Sequence, residues 1–391
     1  MADYRKYAND IERAEFKNFY PISKQHLNEP NKRTEFNIDF GDSFCSSKFQ
    51  FYISGSLTKQ DGQAYLGTDN VKLIDNFVPF LFSKTEVRKH NKMIEEIENC
   101  GQLSTMKGTI SYSKSDVFSN SFESTFKFGQ FEAVGDLAHF GLGFFENVNF
   151  PIYKGGFYIS FIRAEDDDAI LKITGNSVDG KITINEFFIR VPIIDYKTTS
   201  KIRLIDEITK SQNIMFNFLD WQCIEQKGIS GTTYSLDITN IYRNISNPKF
   251  VIIGFQTDRQ NNQEKDPSKF DSLNVKNIRV KLNGSYYPDE LQNLNISGGL
   301  FRIMYQMYQD FKKVYYNNTN MYYNPKEFLN NRPIFVIDTT RSLSNISASK
   351  NDIIVNIDFQ NAVTNSVCYV IVVSEKFLSY DVIKNDIREI Q

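Results

Sequence analysis

The chain has 391 residues and a formal net charge of −2, so it lacks the Lys/Arg excess with which proteins neutralise many phosphates. This balance argues against direct, sequence-specific nucleic acid binding. A hydrophobic fraction of 41%, with 34 Phe and 21 Tyr, excludes wholesale disorder and favours β-sheet, because aromatic side chains suit a half-buried pleated surface. The length predicts two domains of similar size.

The N-terminal segment Met1–Phe19 mixes acidic and basic residues, with Tyr4, Ala8 and Ile11 near one helical face. These charges exclude the apolar middle of a signal peptide, so we expect no secretion by that route. We interpret residues 1–33 as an N-terminal arm that begins with an amphipathic helix. No apolar run in the sequence approaches the roughly 20 residues that span a bilayer.

From about residue 34 onward, apolar and polar residues alternate in short runs, which predicts strands with one face in a core. The runs before residue 197 are centred on Ile38, Phe51, Ile159, Ile184 and Ile189. Asp179–Gly180 precedes one of them and predicts a hairpin, since tight primed turns need positive φ. We assign residues 34–196 to a first jelly roll.

Residues 197–212 interrupt the strand pattern with a short helix-like stretch around Ile205, and we interpret them as a linker. Alternation then resumes, with runs centred on Phe216, Leu236, Ile252, Val280, Phe335, Ile357 and Val370. We assign residues 213–380 to a second jelly roll and residues 381–391 to a C-terminal tail. Each block has about eight strand candidates, so we predict an all-β fold of two consecutive eight-stranded jelly-roll (β-sandwich) domains with a few short helices.

The clearest helix is predicted at Leu300–Tyr316, which carries two apolar stripes. The first, expected to face the core, consists of Leu300, Met304, Met307, Phe311 and Val314. The second, our candidate subunit interface, consists of Phe301, Tyr305, Tyr308 and Tyr315. Packing inside the domain is the alternative for this second stripe. Tyrosine suits an interface because it combines a large apolar area with a polar tip.

No motif in the sequence indicates catalysis, and we predict no catalytic residue, no cofactor, no metal and no enzymatic activity. Gly175–Ile182 has the spacing of a phosphate loop but ends in Ile where a hydroxyl is required, and it leads into a strand, which favours a hairpin. Glu165–Asp168 lacks the spaced ligands of a calcium loop and is interpreted as a solvated turn. The three histidines are remote from any cysteine, which argues against zinc: His26, His90 and His139.

The four cysteines are far apart in sequence and are predicted to be buried free thiols: Cys45, Cys100, Cys223 and Cys368. Five N-glycosylation sequons are expected by chance in an Asn-rich chain with no secretory signal: Asn244, Asn283, Asn295, Asn317 and Asn345. We therefore expect the chain to be made and kept inside a cell or particle.

Several segments in the second half match motifs of one known family. Ile278–Pro288 ends a strand in "LN" before a "YP" pair, Met304–Tyr316 has the spacing "YxxYxxF", and Pro333–Arg341 is similar to "PLFVIDxSR". A closing hairpin of Asp352–Phe359 with Ser366–Val373 is predicted to follow.

Two segments of the first half match as well: Gly101–Gly108 ("G-x-x-S-T-x-K-G") and Leu137–Phe145 ("L-x-x-x-x-G-F"). In this order the segments resemble the double jelly-roll, hexon-like major capsid proteins of Polinton/Maverick and adintovirus-like elements, many of which lie in animal genomes. The chain departs from the family at Thr339–Thr340, where a Cys-Ser pair is common, and at Ser374–Glu375, where "HD" is common.

The resemblance implies a structural major capsid protein that self-associates as pseudo-hexagonal trimers and builds an icosahedral shell around a double-stranded DNA genome. It implies a virion capsid location after synthesis inside the host cell, and a penton or minor capsid protein as a further partner. An internal membrane is compatible with the sequence but not indicated by it. The alternative is a β-sandwich binding module, lectin-like or receptor-binding, including a capsid gene domesticated by a host.

Overall fold

The computed structural model describes residues 9–66, 69–113, 125–127, 129–149, 151–165, 168–173, 178–211, 213–239, 247–340, 351–384 and 386–390. Within these ranges, no helix combines the length and the apolar character needed to cross a membrane.

The first half of the chain folds as two antiparallel sheets. The principal strands of one sheet follow the order β1-β13-β4-β9: β1 (Ile11–Phe19), β13 (Gly180–Tyr196), β4 (Gln50–Lys59) and β9 (Gln130–Asp136). The other sheet has the order β2-β11-β6-β7: β2 (Arg33–Asp39), β11 (Gly156–Arg163), β6 (Phe82–Lys89) and β7 (Lys92–Glu98). Successive principal strands alternate between the sheets in the manner of a jelly roll, except for β6 and β7, which are neighbours in one sheet.

Five shorter strands extend or flank this jelly roll: β3 (Phe44–Cys45), β5 (Val71–Leu73), β8 (Thr125–Lys127), β10 (Ile152–Tyr153) and β12 (Ile170–Lys172). An aromatic cluster fills the space between the two sheets. The Phe161 ring lies 5.0 to 5.9 Å, between centroids, from the rings of four other residues: Phe36, Phe82, Phe140 and Phe187. The alternating Phe and Ile residues of the sequence therefore face one core, as their period of two predicts.

The second half is built around two long strands that pair with each other, β14 (Asn213–Asp237) and β19 (Ile353–Asp381). Their register shifts between Gln226 and Thr233, so each strand contributes one segment on either side of the irregularity. The closing hairpin predicted from Asp352–Phe359 and Ser366–Val373 is therefore wrong, because Ile353–Phe359 and Ser366–Val373 are successive parts of β19 and both pair with β14. The remaining strands are β15 (Pro248–Gln256), β16 (Val275–Leu282), β17 (Ser285–Tyr287), β18 (Phe335–Asp338) and β20 (Asp386–Ile390).

On one side of the shift the strand order is β14-β19-β15-β18, and on the other side it is β14-β19-β16-β17. With both segments of β14 and of β19 counted, these are eight strands in the same order as in the first half. The prediction of two consecutive eight-stranded jelly rolls in an all-β chain is confirmed. The first set of principal strands ends at Tyr196 and the second begins at Asn213.

The helices lie between strands: α1 (Phe77–Phe80), α2 (Cys100–Ser111), α3 (Gly143–Asn147), α4 (Thr198–Ser211), α5 (Arg302–Tyr316) and α6 (Pro325–Asn331). A 3₁₀ turn at Leu137–Phe140 precedes α3. Helix α4 connects the two jelly rolls and buries Leu204 and Ile208. All four cysteines are buried and free, as predicted.

The helix predicted for the N-terminal segment is wrong where the structure describes it. Ile11–Phe19 is β1, which pairs antiparallel with the end of β13, Phe19 opposite Ile189. Pairing with an available strand edge satisfies the backbone along the whole segment, and this tertiary context overrides a weak amphipathic pattern. Residues 11–19, inside the range that we assigned to an arm, thus extend the first sheet; residues 1–8 lie outside the described residues.

The hairpin predicted at Asp179–Gly180 is also wrong, because the strands on either side pair with different partners. Strand β12 pairs with β5, and β13 pairs with β4. The Gly180 N–H donates to Gln263 Oε1 at 2.7 Å, so the start of β13 is hydrogen-bonded to the second jelly roll. Residues 174–177 of the phosphate-loop-like segment lie outside the described residues.

The acidic run at Glu165–Asp168 is only partly described, since residues 166 and 167 fall outside. The Asp168 carboxylate accepts the Asn261 N–H at 2.8 Å. At this position the run therefore contacts the second jelly roll, where we expected a solvated turn. Two of the sequons, Asn244 and Asn345, also lie outside the described residues.

Candidate assembly interface

The two jelly rolls meet along an apolar contact between α3 and the first part of β14. The Phe144 ring lies 5.3 Å from the Phe216 ring and 5.6 Å from the Phe218 ring. Gly143 approaches the Leu219 carbonyl so closely that a Cβ atom would overlap it. Glycine is thus required here for the close approach of two backbones.

Hydrogen bonds between side chains and backbone also cross this junction. Lys376 Nζ, in the second jelly roll, donates to the Ile94 carbonyl of β7 at 2.8 Å. Lys312 Nζ, on α5, donates to the Tyr112 carbonyl at 2.6 Å. Since Lys312 is fully buried, this bond partly compensates the loss of water around its ammonium group.

Helix α2 is the most enclosed element of the junction, with all twelve residues buried. Its Lys107 forms a 2.7 Å ion pair with Glu146 and donates to the Ala138 carbonyl at 3.2 Å. The same ammonium group lies 5.0 Å from the centroid of the Trp221 ring in the second jelly roll. A single buried lysine therefore connects helix α2 of the first jelly roll to strand β14 of the second.

Two buried carboxyl groups lie at the junction. Glu95 accepts the N–H groups of Gly143 and Phe144, each at 2.8 Å. Burial raises the pKa of Glu95 to about 8, with a further rise from the nearby Asp220 carboxylate. Burial also raises the pKa of Asp220, while the Lys376 ammonium group acts in the opposite direction.

Lys89 lies at a second point of the junction, inside a cage of aromatic rings. Its ammonium group lies 4.9 Å from the Phe157 centroid and 4.7 Å from the centroid of Tyr380, which belongs to the second jelly roll. It donates to the Lys154 carbonyl at 3.2 Å. Burial lowers the pKa of Lys89 to about 8. The cage holds the amine by cation–π contacts where a carboxylate partner would be usual.

The histidines do not come together. His139 is buried, with its ring nitrogens 2.5 Å from Asn76 Oδ1 and 3.1 Å from the Tyr112 hydroxyl. Burial lowers the pKa of His139 to about 3, so the ring is neutral at pH 7. Across the described part of the chain, no three His, Cys, Asp or Glu side chains form a group that could hold a metal ion.

Helix α5 presents its two stripes differently from the sequence-based expectation. Tyr308 is fully buried and its ring stacks on Phe328 at 5.0 Å, while the Tyr305 hydroxyl donates to the Tyr323 carbonyl at 2.8 Å. These two tyrosines pack inside their own chain, the alternative that we considered. Phe301 and Tyr315 are half-buried, and their contact with a neighbouring subunit stays a prediction.

The stripe expected to face the core is divided between the core and the surface. Met304 and Phe311 are buried, but Leu300 is 64% exposed and Val314 is 67% exposed. Met307 is only partly buried. The prediction of a single core stripe is therefore wrong at the two ends of the helix.

An open groove of about 750 Å³ lies between the jelly rolls beside this junction. Its walls include Glu96 and Glu98 from β7, and Glu225 and Lys376 from the second jelly roll. Lys84 pairs with the first two carboxylates, at 3.4 Å from Glu98. The two lysines, Lys84 and Lys376, therefore offset only part of the acidic character of the groove, which four carboxyl groups line: Glu96, Glu98, Asp220 and Glu225.

The overall arrangement is similar to those of solved viral proteins. A chain of the cryo-EM structure of the Sputnik virophage aligns with a TM-score of 0.60 at 10% identity, over 97% of this chain and 89% of that one. The mavirus major capsid protein aligns with 0.58 at 10% identity, over 96% and 90%. The Faustovirus major capsid protein aligns with 0.62 at 9% identity, over 94% and 90%. At such low sequence identity, the structural similarity shows only that these proteins share a fold with this chain. No curated protein is detectably similar to the chain in sequence.

A family assignment rests on the sequence itself. The family described as "Double jelly roll-like domain" matches residues 71–378, which include most of the first jelly roll, α4 and nearly all of the second. The match therefore contains the junction with its buried helix α2 and both long strands of the second half. From this match and the strand order of the two halves, we conclude that the chain belongs to the double jelly roll-like domain family.

Proposed function

We propose that the chain is the major capsid protein of a double-stranded DNA virus or virus-like element. The observation that carries this proposal is the tight junction between two jelly rolls of the same strand order, through Phe144, Lys107 and Trp221. A chain with this architecture already contains one pair of matching building blocks in contact. The fold that it shares with solved major capsid proteins supports the same role.

In this proposal, three subunits close head to tail into a ring in which six jelly rolls give a pseudo-hexagonal outline. A contact between two different surfaces of the subunit closes into a ring when the rotation from one subunit to the next is a whole fraction of a full turn. Because each subunit contains two similar jelly rolls, a ring of three subunits then has a nearly sixfold outline. Such tiles can meet neighbours on every side and cover an icosahedral shell. The virion capsid is the expected location, with a penton or minor capsid protein at positions where six-sided tiles do not fit.

The purified full chain provides the test. Native mass spectrometry should give a trimer of about 136 kDa, three times 45.4 kDa, and negative-stain electron microscopy should reveal particles with six-sided outlines, alone or in sheets and shells. A chain that stays monomeric at high concentration contradicts the proposal. A monomer that is retained on immobilised sugars would favour the lectin-like alternative.

A further inference from the structure

The two jelly rolls repeat each other closely enough for individual positions to be equated. Tyr196 near the end of β13 and Tyr380 near the end of β19 are both buried. Tyr196 pairs with Ile11 of β1, and Tyr380 pairs with Ile214 of β14. Strand β1 is therefore the counterpart, in the first jelly roll, of the beginning of β14.

This alignment equates Phe16 with a residue of the domain junction. Phe16 pairs with Pro192, four residues before Tyr196, and Phe218 pairs with Lys376, four residues before Tyr380. Phe218 is 2% exposed because it packs against the first jelly roll, whereas Phe16 is 45% exposed. The position that is buried between domains in one jelly roll is thus uncovered in the other.

The environment of Phe16 is aromatic. The Arg190 guanidinium lies 4.6 Å from the Phe16 centroid. Nearby, Phe188 lies 5.3 Å from Tyr20 and stacks on Tyr52 at 4.5 Å. We call Phe16, Tyr20, Tyr52 and Phe188 the β1 face.

The β1 face is exposed, whereas its counterpart at the beginning of β14 is buried. Eight of the nine residues of β1 are exposed, whereas six of the nine residues at Asn213–Trp221 are buried. Within the chain, the cover of β14 comes from the first jelly roll, including its fifth principal strand β7. The fifth principal strand of the second jelly roll is β17, which is exposed.

We propose that the β1 face binds a second copy of this chain at strand β17 of that copy's second jelly roll. The proposal rests on the proposed function and repeats, between subunits, the contact that each subunit makes internally. Because one partner surface lies on the first jelly roll and the other on the second, the contact is head to tail, and three copies close into a ring when the rotation between neighbours is a third of a full turn.

Acidic groups on the β1 side are available to pair with a basic group on the β17 side, although Arg190 also lies beside Phe16. On the β1 side, Tyr52 forms a hydrogen bond with Glu132, and Glu186 lies nearby. On the β17 side, the Arg279 guanidinium lies 4.4 Å from the centroid of Tyr286, which is 37% exposed. Opposite charges at the rim favour the correct pairing of surfaces and accelerate association.

The variant Phe16→Asp tests the β1 face. A carboxylate at the centre of this apolar contact should raise the trimer dissociation constant roughly tenfold or more, as loss of a buried aromatic anchor does. The matched control is Ile202→Asp on α4, where the side chain is 62% exposed and lies outside the β1 face. We expect the control to form trimers like the unmodified chain, and both variants to keep its circular dichroism spectrum, which shows that the fold is intact.

Trimers of Phe16→Asp that are as tight as those of the unmodified chain would overturn this inference and leave the proposed function intact. If the unmodified chain forms no trimer, both this inference and the proposed function fail.

A photo-reactive benzoylphenylalanine at position 16 tests the partner surface. The expected product joins two chains, with the second chain modified within residues 279–287; products within one chain, or on the first jelly roll of another copy, contradict the assignment.

Discussion

Individual side chains at the junction could not be identified from the sequence. Lys107 lies in a segment that we noted only for its likeness to a family motif, and nothing local distinguishes it from a surface lysine. Its role depends on Glu146 and Trp221, which are brought to it by the packing of two domains. Buried charges of this kind follow from tertiary structure, because no sequence period marks them.

At this scale we predict that Lys107→Met lowers the free energy of unfolding by about 2 to 4 kcal/mol, because it leaves the carboxylate of Glu146 without its partner. Glu146 retains 22% side-chain exposure, so the cost lies toward the lower part of the range for buried pairs. Urea unfolding at low protein concentration measures it. The double variant Lys107→Met/Glu146→Gln should lose less than the sum of the single changes; strict additivity would mean that the ion pair contributes nothing.

Single elements were predictable where their hydrophobic period was unambiguous. The runs around Ile38, Ile159 and Val280 are strands, because a period of two has only one structural meaning in a short segment. Helix α5 was harder, since both of its stripes are apolar and periodicity does not reveal which one meets the core. The tyrosines are accommodated inside because their hydroxyls find partners, as Tyr308 does with the Tyr322 N–H.

The orientation of α5 gives a prediction at the scale of the element. Met304→Ala should cost about 2 to 5 kcal/mol of unfolding free energy, since it opens a cavity in the core. Val314→Ala, on the exposed side of the same helix, should change that free energy by no more than about 0.5 kcal/mol. Equal costs in urea unfolding at low protein concentration would contradict this orientation of the helix.

The whole molecule could be predicted as a pair of jelly rolls, because strand patterns recur in two blocks of similar length. The junction between them could not be predicted, because the packing of one domain on the other leaves no regular pattern in the sequence. The junction also gives the whole chain a dependence on pH. Three groups with large pKa shifts, Glu95, His139 and Lys89, contribute over different pH ranges, and the ranges of Glu95 and His139 overlap between 4.5 and 6.5. Each group changes the free energy of unfolding only between its folded and unfolded pKa values.

Between pH 6.5 and 8 we expect the free energy of unfolding to fall as the pH rises, by up to about 1.4 kcal/mol per pH unit. In this range Glu95 is ionised in the unfolded chain, where its pKa is near 4.5, but stays protonated in the folded chain up to about pH 8. His139 acts in the opposite direction only below pH 6.5, and Lys89 only above about 8. Urea unfolding in steps of pH measures the slope. Glu95→Gln should flatten it, because the amide does not titrate; an unchanged slope would assign the effect to other groups, Asp220 first among them.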